Sequence, residues 1–461
     1  TSSRKFIWDA MGVKFGNRTV MAMSYYPKEA NPLYERYSTR AVAHTLRVYS
    51  KYTFEYPYPV AISVEASNGM EYPMICFNYG RPEKDGTYTE RIKYGMISVI
   101  IHEVGHFYFP MIVNSDERQW TWMDEGLNTY LQFITEQEWD RNYPSRRGPP
   151  KNIVSYMKGN KNNISPIMTN SESIYQFGNN AYGKPATALN ILRETIVGRE
   201  LFDFAFKEYS KTWMFKHPTP SDFFRILENA SAVDLDWFWR GWFYGTDPVD
   251  LSIDNVTWYT LDTKNPDIEF PLRKKKKDEE PIQIWQERNK IDIQETVVEI
   301  DEVANDFYNK YDPFEVTILD KEEFTRYRDS SVVEPREKEI YNANLNYYEI
   351  KFSNVGGLVM PIILQLNYED GTDFIIKIPA EIWKMNRKQI TKIFATKKQV
   401  SSFTLDPKLE TADIDLQNNH WPRKMIQSKF ELYKSKTLSR GQSSKENKMQ
   451  RAKRAKKKLE D

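Results

Sequence analysis

The sequence predicts an α+β chain that passes from interleaved helices and strands into a mostly-β, sandwich-like C-terminal part. Helical apolar spacing and strand-like alternation intermix up to about residue 250. Beyond residue 340, short alternating runs separated by turn residues take over. The 461 residues, 40% hydrophobic and 14% aromatic, are enough for sizeable cores in about three domains of ~150 residues each.

In chain order, KFIWDA and TVMAMSYY read as strands joined by a turn at GN. NPLYERYSTRAVAHTLRVYSKY, residues 31–52, has the opening Pro and apolar spacing of a helix. VAISVEA and MICFNY read as β around SNGMEYP, and helices are expected at 89–109, 122–139 and 185–210. A further helix begins at PTPSDFF, where a Ser or Thr cap stands beside Pro. After residue 250, LSIDNVTWYTL is strand-like and LRKKKKDEEP is expected as a solvated loop or hairpin tip. Residues 282–340 read as a mixture of strands and short helices. YYEIKF, LVMPIILQLNY and DFIIKIP follow as strands, with a hairpin at EDGT. QITKIFA, VSSFTLD and TADIDL complete the β part, ahead of a basic tail expected to be disordered from residue 433.

Composition excludes several classes. Lys plus Arg (65) balances Asp plus Glu (64), so no global charge points to nucleic acid. No apolar run of about 18 residues is present, so no segment reads as a transmembrane helix. The one cysteine, Cys76, rules out an internal disulfide and a cysteine-rich metal site; it reads as a small buried apolar residue. WFWRGW at 237–242 reads as core.

The chemistry concentrates at HEVGH, residues 102–106, which holds two of the five histidines. On a helix, His102 and His106 point about 40° apart and can share one metal ion. Glu103, about 100° round from His102, reaches a water at that metal instead of the metal itself. A catalytic zinc needs a third protein ligand and an open position. Eighteen residues separate His106 from Glu125 in WTWMDEGLNTY, and a helix–turn–helix of that length returns the Glu125 carboxylate to the imidazoles. Asp124 is its rival. His44, His217 and His420 have no metal-like spacing.

HEVGH, the spacer and WMDEG together resemble the gluzincin zinc aminopeptidases of the aminopeptidase N (membrane alanyl aminopeptidase) family. SNGMEYP resembles that family's substrate-amine motif, usually Gly-x-Met-Glu-Asn. NNAYGKPATALNILRE resembles its catalytic-tyrosine segment, usually Tyr-Glu-Lys-Gly. PSDFFRILENASAVDLDWFWRGWFYGTDP resembles the end of its catalytic domain. Asn68 stands where the family has Gly and Tyr72 where it has Asn, while Met70 and Glu71 are kept. Gly183 and Pro185 replace Glu and Gly beside Tyr182 and Lys184.

The resemblance implies a thermolysin-like zinc peptidase domain over 31–250, preceded at 1–30 by the last strands of an N-terminal β-domain. A mixed region at 251–340, a β-sandwich-like domain at 341–432 and the tail at 433–461 follow. It implies one zinc ion on His102, His106 and Glu125, with Glu103 as general base and Tyr182 as oxyanion donor. Tyr175 is the nearest competitor of Tyr182 among 29 tyrosines. Glu71 is expected to take the α-ammonium of a peptide substrate, and Gly69 and Met70 to pair with its main chain. Bacterial relatives of this architecture are often exported, which points to a periplasmic or otherwise exported home. Two alternatives stay open: an endopeptidase or special-substrate hydrolase on the same site, and an inactive binding protein on a peptidase fold.

Overall fold

The computed structural model describes residues 3–329, 334, 339–340, 345–424 and 446–460. Phe6–Phe15 (β1) and Arg18–Pro27 (β2) form the first hairpin, pairing from Phe6↔Pro27 to Phe15↔Arg18. Gly16 turns it at φ 54°, a left-handed angle that glycine adopts without a Cβ penalty. Leu33–Tyr52 (α1) crosses over so that Val60–Glu65 (β3) runs parallel to β2. Ile75–Asn78 (β5) is parallel to β3, and Met70–Tyr72 (β4) closes the sheet antiparallel to β5, in the order β1-β2-β3-β5-β4. SNGMEYP therefore lies on a free sheet edge. Cys76 is buried in this sheet, and burial pushes its thiol far up.

Glu90–Gly105 (α2) starts where the Thr89 hydroxyl accepts from Ile92 N at 3.1 Å. It buries Met96, Ile97, Ile100, Ile101 and Val104, and full burial of such side chains is worth about 1.5–3 kcal/mol each. The helix stops at Gly105, short of the expected residue 109, because Pro110 cannot continue it and disfavours helical backbone before it. A π turn at Trp122–Gly126 leads into Leu127–Trp139 (α3). After the short Val154–Met157 helix (α4), a second π turn at Gly178–Gly183 opens Lys184–Ile191 (α5).

The single helix expected over 185–210 is interrupted. Leu192–Ile196 winds as a π turn, and Gly198 at φ 91° breaks the chain before Arg199–Thr212 (α6). Pro220–Ser231 (α7) begins as expected, with a reciprocal Thr219–Asp222 capping box. In Asp236–Trp242 (α8), Phe238, Trp239 and Trp242 are buried, and Trp239 stacks on Phe224 at 4.5 Å. The tryptophan-rich stretch is core.

Leu251–Thr260 (β6) pairs with a strand 86 residues further on, Asn346–Asn354 (β7), as Thr260↔Asn346. The stretch expected as a loop, LRKKKKDEEP, instead belongs largely to Pro266–Asp278 (α9). Asn265 caps that helix, acids occupy its first turn, and Lys275, Lys276 and Lys277 occupy its last; all three features favour a helix. Strands expected within 282–340 are absent among the described residues. The helices there are Ile284–Asp292 (α10), Val297–Ile300 (α11), Phe307–Lys310 (α12) and Ile318–Arg328 (α13), each opened by a capping box.

Gln389–Thr396 (β10) completes the sheet β10-β7-β6. Ile362–Tyr368 (β8) and Asp373–Ile378 (β9) form the hairpin expected at EDGT, with Gly371 at φ 82°. They join Val400–Leu405 (β11) and His420–Trp421 (β12) in the order β12-β11-β8-β9. Tyr348 of one sheet meets Phe403 of the other at 5.3 Å. TADIDL is not a strand: Ala412 has φ 64°, Thr411 is tied to Asp406, and Asp413 accepts from Leu251 N.

Of the tail expected to be disordered, residues 433–445 and 461 lie outside the described residues. Lys448–Glu460 (α14) is a helix, built from Lys, Arg, Gln, Ala and Leu, which favour that state. Asn447 anchors its start by donating to Thr87 Oγ1 at 3.0 Å. Among the described residues, no helix is long and apolar enough to cross a membrane.

Candidate metal centre and substrate cleft

Two close backbone approaches bring the site together. A Cβ at Gly105 would stand 2.1 Å from Asn128 Oδ1 and 2.3 Å from Tyr49 Oη, so only glycine lets the end of α2 sit so near α3. A Cβ at Gly126 would stand 2.6 Å from Pro185 Cγ and 3.0 Å from the Ala181 carbonyl. Glycine there packs the two π turns together, which sets Glu125 beside Tyr182. Pro185, one of the departures from the family pattern, is thus a packing partner.

The α2 helix presents His102 and His106 with ring centroids 4.5 Å apart and planes at 86°. The outer nitrogen of each ring is committed. His106 Nδ1 donates to the Phe109 carbonyl at 2.9 Å. His102 Nδ1 lies 2.9 Å from Gln132 Oε1, and Gln132 Nε2 faces the Ser98 carbonyl and Glu136 Oε1. Since the Ser98 carbonyl only accepts, the Gln132 oxygen is the atom turned to His102. Both protons therefore sit on Nδ1, and both Nε2 lone pairs point inward, 3.0 Å apart. Glu125 Oε2 joins them at 3.0 Å from His102 Nε2 and 3.4 Å from His106 Nε2.

With both imidazoles neutral, three acceptor atoms thus converge, which is the donor set a zinc ion requires. Burial disfavours charge on His106, yet the carboxylates of Asp124 and Glu125 raise its pKa well above the ordinary value, so the convergence draws in positive charge, a proton or a metal ion. Burial pushes Glu125 up, and the imidazoles of His106 and His102 outweigh it and hold that carboxyl far down. Asp124, the rival ligand, approaches His106 at Nδ1 (2.9 Å), on the side away from the convergence. Glu71, His106 and Asp124 form a second group of close ligand atoms, but it lacks the paired inward lone pairs.

Glu103 is buried with Oε2 unpaired. Burial pushes its pKa up to about 8; His106 opposes the shift, and Glu71 and Glu125 add to it. Glu71, on the free β4 edge, is close enough for its charge to add to the upward shift of Glu103. A Cβ at Gly69 would stand 2.3 Å from Glu103 Oε1. Tyr182 donates to Glu125 Oε1 at 2.5 Å and stacks on His102 at 5.7 Å. Tyr175 is exposed, and its backbone N–H bonds Ser165, so of the two tyrosines it is Tyr182 that reaches Glu125 and His102. Gly69, Met70, Glu71, His102, Glu103, His106, Glu125 and Tyr182 therefore meet in one place. His44, His217 and His420 bond Thr135, Asn114 and Thr404 instead.

Sequence reasoning missed Gln132, Asn128, the Phe109 carbonyl and Arg147. Gln132 lies seven residues, two helical turns, beyond Glu125, so its spacing was a usable signal. Asn128, which donates to the His102 carbonyl at 2.8 Å, lies three residues on. Arg147, whose guanidinium lies 4.2 Å over the Tyr182 ring, sits in a loop and carries no such signal.

Residues 37–242 match the model of the Peptidase family M1 domain. Glutamyl aminopeptidase of Sus scrofa is 29% identical over 144 residues, covering 30% of this chain and 15% of that protein. Probable aminopeptidase 1 of Sulfurisphaera tokodaii is 24% identical over 228 residues, 46% of this chain and 29% of that one. The chain thus spans less than a third of the length of these curated relatives. Among solved structures, Legionella pneumophila aminopeptidase A in complex with aspartic acid has a TM-score of 0.51 at 14% identity, over 88% of this chain and 38% of that one. That likeness is one of fold. Every residue of the site lies within residues 37–242, the part of the chain that matches the Peptidase family M1 domain.

Proposed function

We propose that this chain is a zinc-dependent aminopeptidase that removes residues from the free N-terminus of peptides. The observation that carries the reading is the convergence of His102 Nε2, His106 Nε2 and Glu125 Oε2 while both Nδ1 protons are engaged elsewhere. A zinc ion held by these residues supplies a Lewis acid for the peptide carbonyl and lowers the pKa of a water toward about 7.

The remaining steps belong to side chains. Glu103, with Oε2 free, takes the proton of the attacking water and passes it to the leaving amine. Tyr182 turns its O–H from Glu125 to the substrate carbonyl oxygen as negative charge develops there. Glu71 takes the α-ammonium through charge-assisted hydrogen bonds, and Gly69 and Met70 pair with the substrate main chain along the open β4 edge. A carboxylate on that edge favours peptides with an unblocked N-terminus and so removal of one residue at a time. Because the altered SNGMEYP motif keeps Glu71, the exopeptidase reading stands ahead of the endopeptidase one.

The test compares free and N-acetylated aminoacyl substrates, with and without a chelator. Cleavage confined to the free amine and abolished by the chelator is expected. Equal rates on both would overturn the exopeptidase assignment, and hydrolysis indifferent to chelation would overturn the zinc reading.

A further inference from the structure

Arg147 has no place in the chemistry above, yet its guanidinium lies 4.2 Å over the ring of Tyr182. It is half-buried. Glu125 and Glu136 lie within its field, but neither is among the hydrogen-bond acceptors of its nitrogens, and no other described residue is. Its N–H groups therefore remain available to an acceptor from outside the chain.

The surroundings look built to hold that fork in place. Asn152 Nδ2 donates to the Ser145 and Arg146 carbonyls, at 3.2 and 3.3 Å. Asn190 Nδ2 donates to the Gly148 carbonyl at 3.2 Å. The loop is thus pinned on both sides of Arg147. Gly178 bares the guanidinium edge, since a Cβ there would already stand 3.4 Å from Nη2. Phe177, exposed and edge-on to Tyr182 at 6.0 Å, adds an apolar wall. A rigid planar cation with free donors matches a carboxylate, which it can grip with two parallel hydrogen bonds.

We propose that Arg147, with Phe177 and Gly178, forms a carboxylate-binding subsite beside Tyr182 that favours peptides carrying a carboxylate close to the scissile bond. The carboxylate comes from an acidic side chain or from the free C-terminus of a very short peptide. This rests on the peptidase reading, which supplies the substrate's position.

The test uses the full chain and matched peptides: Glu against Gln at the first or second residue, and free acid against amide at a dipeptide C-terminus. Wild type is expected to favour one member of a carboxylate pair by about 10- to 100-fold in kcat/KM, as charged hydrogen bonds allow. The pair that discriminates identifies the source. In Arg147→Gln that preference should shrink to about two-fold, against a typical charged-bond effect, while the neutral member is still cleaved. Gly178→Val, which covers the guanidinium edge and leaves the arginine in place, should do the same, and keeps the proposal testable if Arg147→Gln does not fold. Calorimetric binding of the same peptides to Glu103→Gln reads the subsite without turnover. Failure of wild type to cleave any peptide would therefore count against the peptidase reading alone. Absence of carboxylate preference in wild type, its persistence in both variants, or an equal loss on charged and neutral peptides would overturn the subsite.

Discussion

Gly69→Ala puts the general-base assignment under direct strain. A Cβ at position 69 would stand 2.3 Å from Glu103 Oε1 and 3.1 Å from its Cδ, with Val99 Cγ1 at 3.5 Å. The closest ordinary carbon–oxygen contact is about 3.3 Å, so the carboxylate must retreat by about 1 Å. A displacement of that size in a reacting group costs about 100-fold, or roughly 2.7 kcal/mol of transition-state stabilisation. Stability should hardly change, because the atoms that move end a flexible side chain. The lower entropy of the unfolded alanine chain offsets about 0.4–1 kcal/mol of any strain. The assay is kcat on a free aminoacyl substrate, read beside zinc content and thermal midpoint. Gly95→Ala, on the same α2 helix with nothing within 4 Å of the added Cβ, is the control. It should keep full activity and gain about 0.5–1 kcal/mol. A Gly69→Ala protein with wild-type kcat would refute the reasoning, since Glu103 would then not be working from the position it occupies.

Tyr182→Phe should lower turnover by about 100- to 1,000-fold with zinc retained; near-normal turnover would assign the oxyanion donor elsewhere. Gln132→Leu removes the acceptor that holds the His102 Nδ1 proton, and zinc affinity should fall by about 10- to 100-fold in a competitive chelator titration. Unchanged affinity would mean that the tautomer needs no such support. Asp413 offers a pH test far from the metal. Burial pushes its carboxyl from 3.8 up to about 7, with the Asp250 charge adding and the N–H groups of Leu251 and Asp415 opposing. Between those values the folded chain holds a proton that the unfolded chain has released, so this group's contribution to stability falls as pH rises through the window. Asp413→Asn should therefore raise the melting temperature at pH 8 and leave it nearly unchanged near pH 4, and melts at the two pH values check the sign.

Where one signal was strong, the sequence was readable. HEVGH set His102 and His106 side by side because four residues make little more than one helical turn, and Thr219, Pro220 and Asp222 marked the start of α7 by their capping chemistry. The spacing pointed to Glu125 with Asp124 as its rival, and the two acids lie on different sides: Asp124 meets the outer nitrogen of His106 and Glu125 the inner ones. What escaped was non-local or rested on single backbone angles. A run of lysines has the same pattern in a loop and at a helix end, and only the cap and the acids at the start of the same helix decide for α9. Ala412 at φ 64° breaks what reads as alternation in TADIDL. The value of Gly69 and Gly126 lies in what approaches them from distant parts of the chain, and Arg147 reaches the site from a loop that carries no periodicity.

X-ray absorption at the zinc edge of the purified full chain tests the central claim most directly. His102, His106 and Glu125 predict nitrogen and oxygen neighbours at about 2.0–2.1 Å, with outer-shell scattering from two imidazoles and one zinc per chain. Replacement of Glu125 by Gln should remove one of the short oxygen contacts. A zinc spectrum without imidazole scattering, or a chain that binds no zinc, would contradict the account.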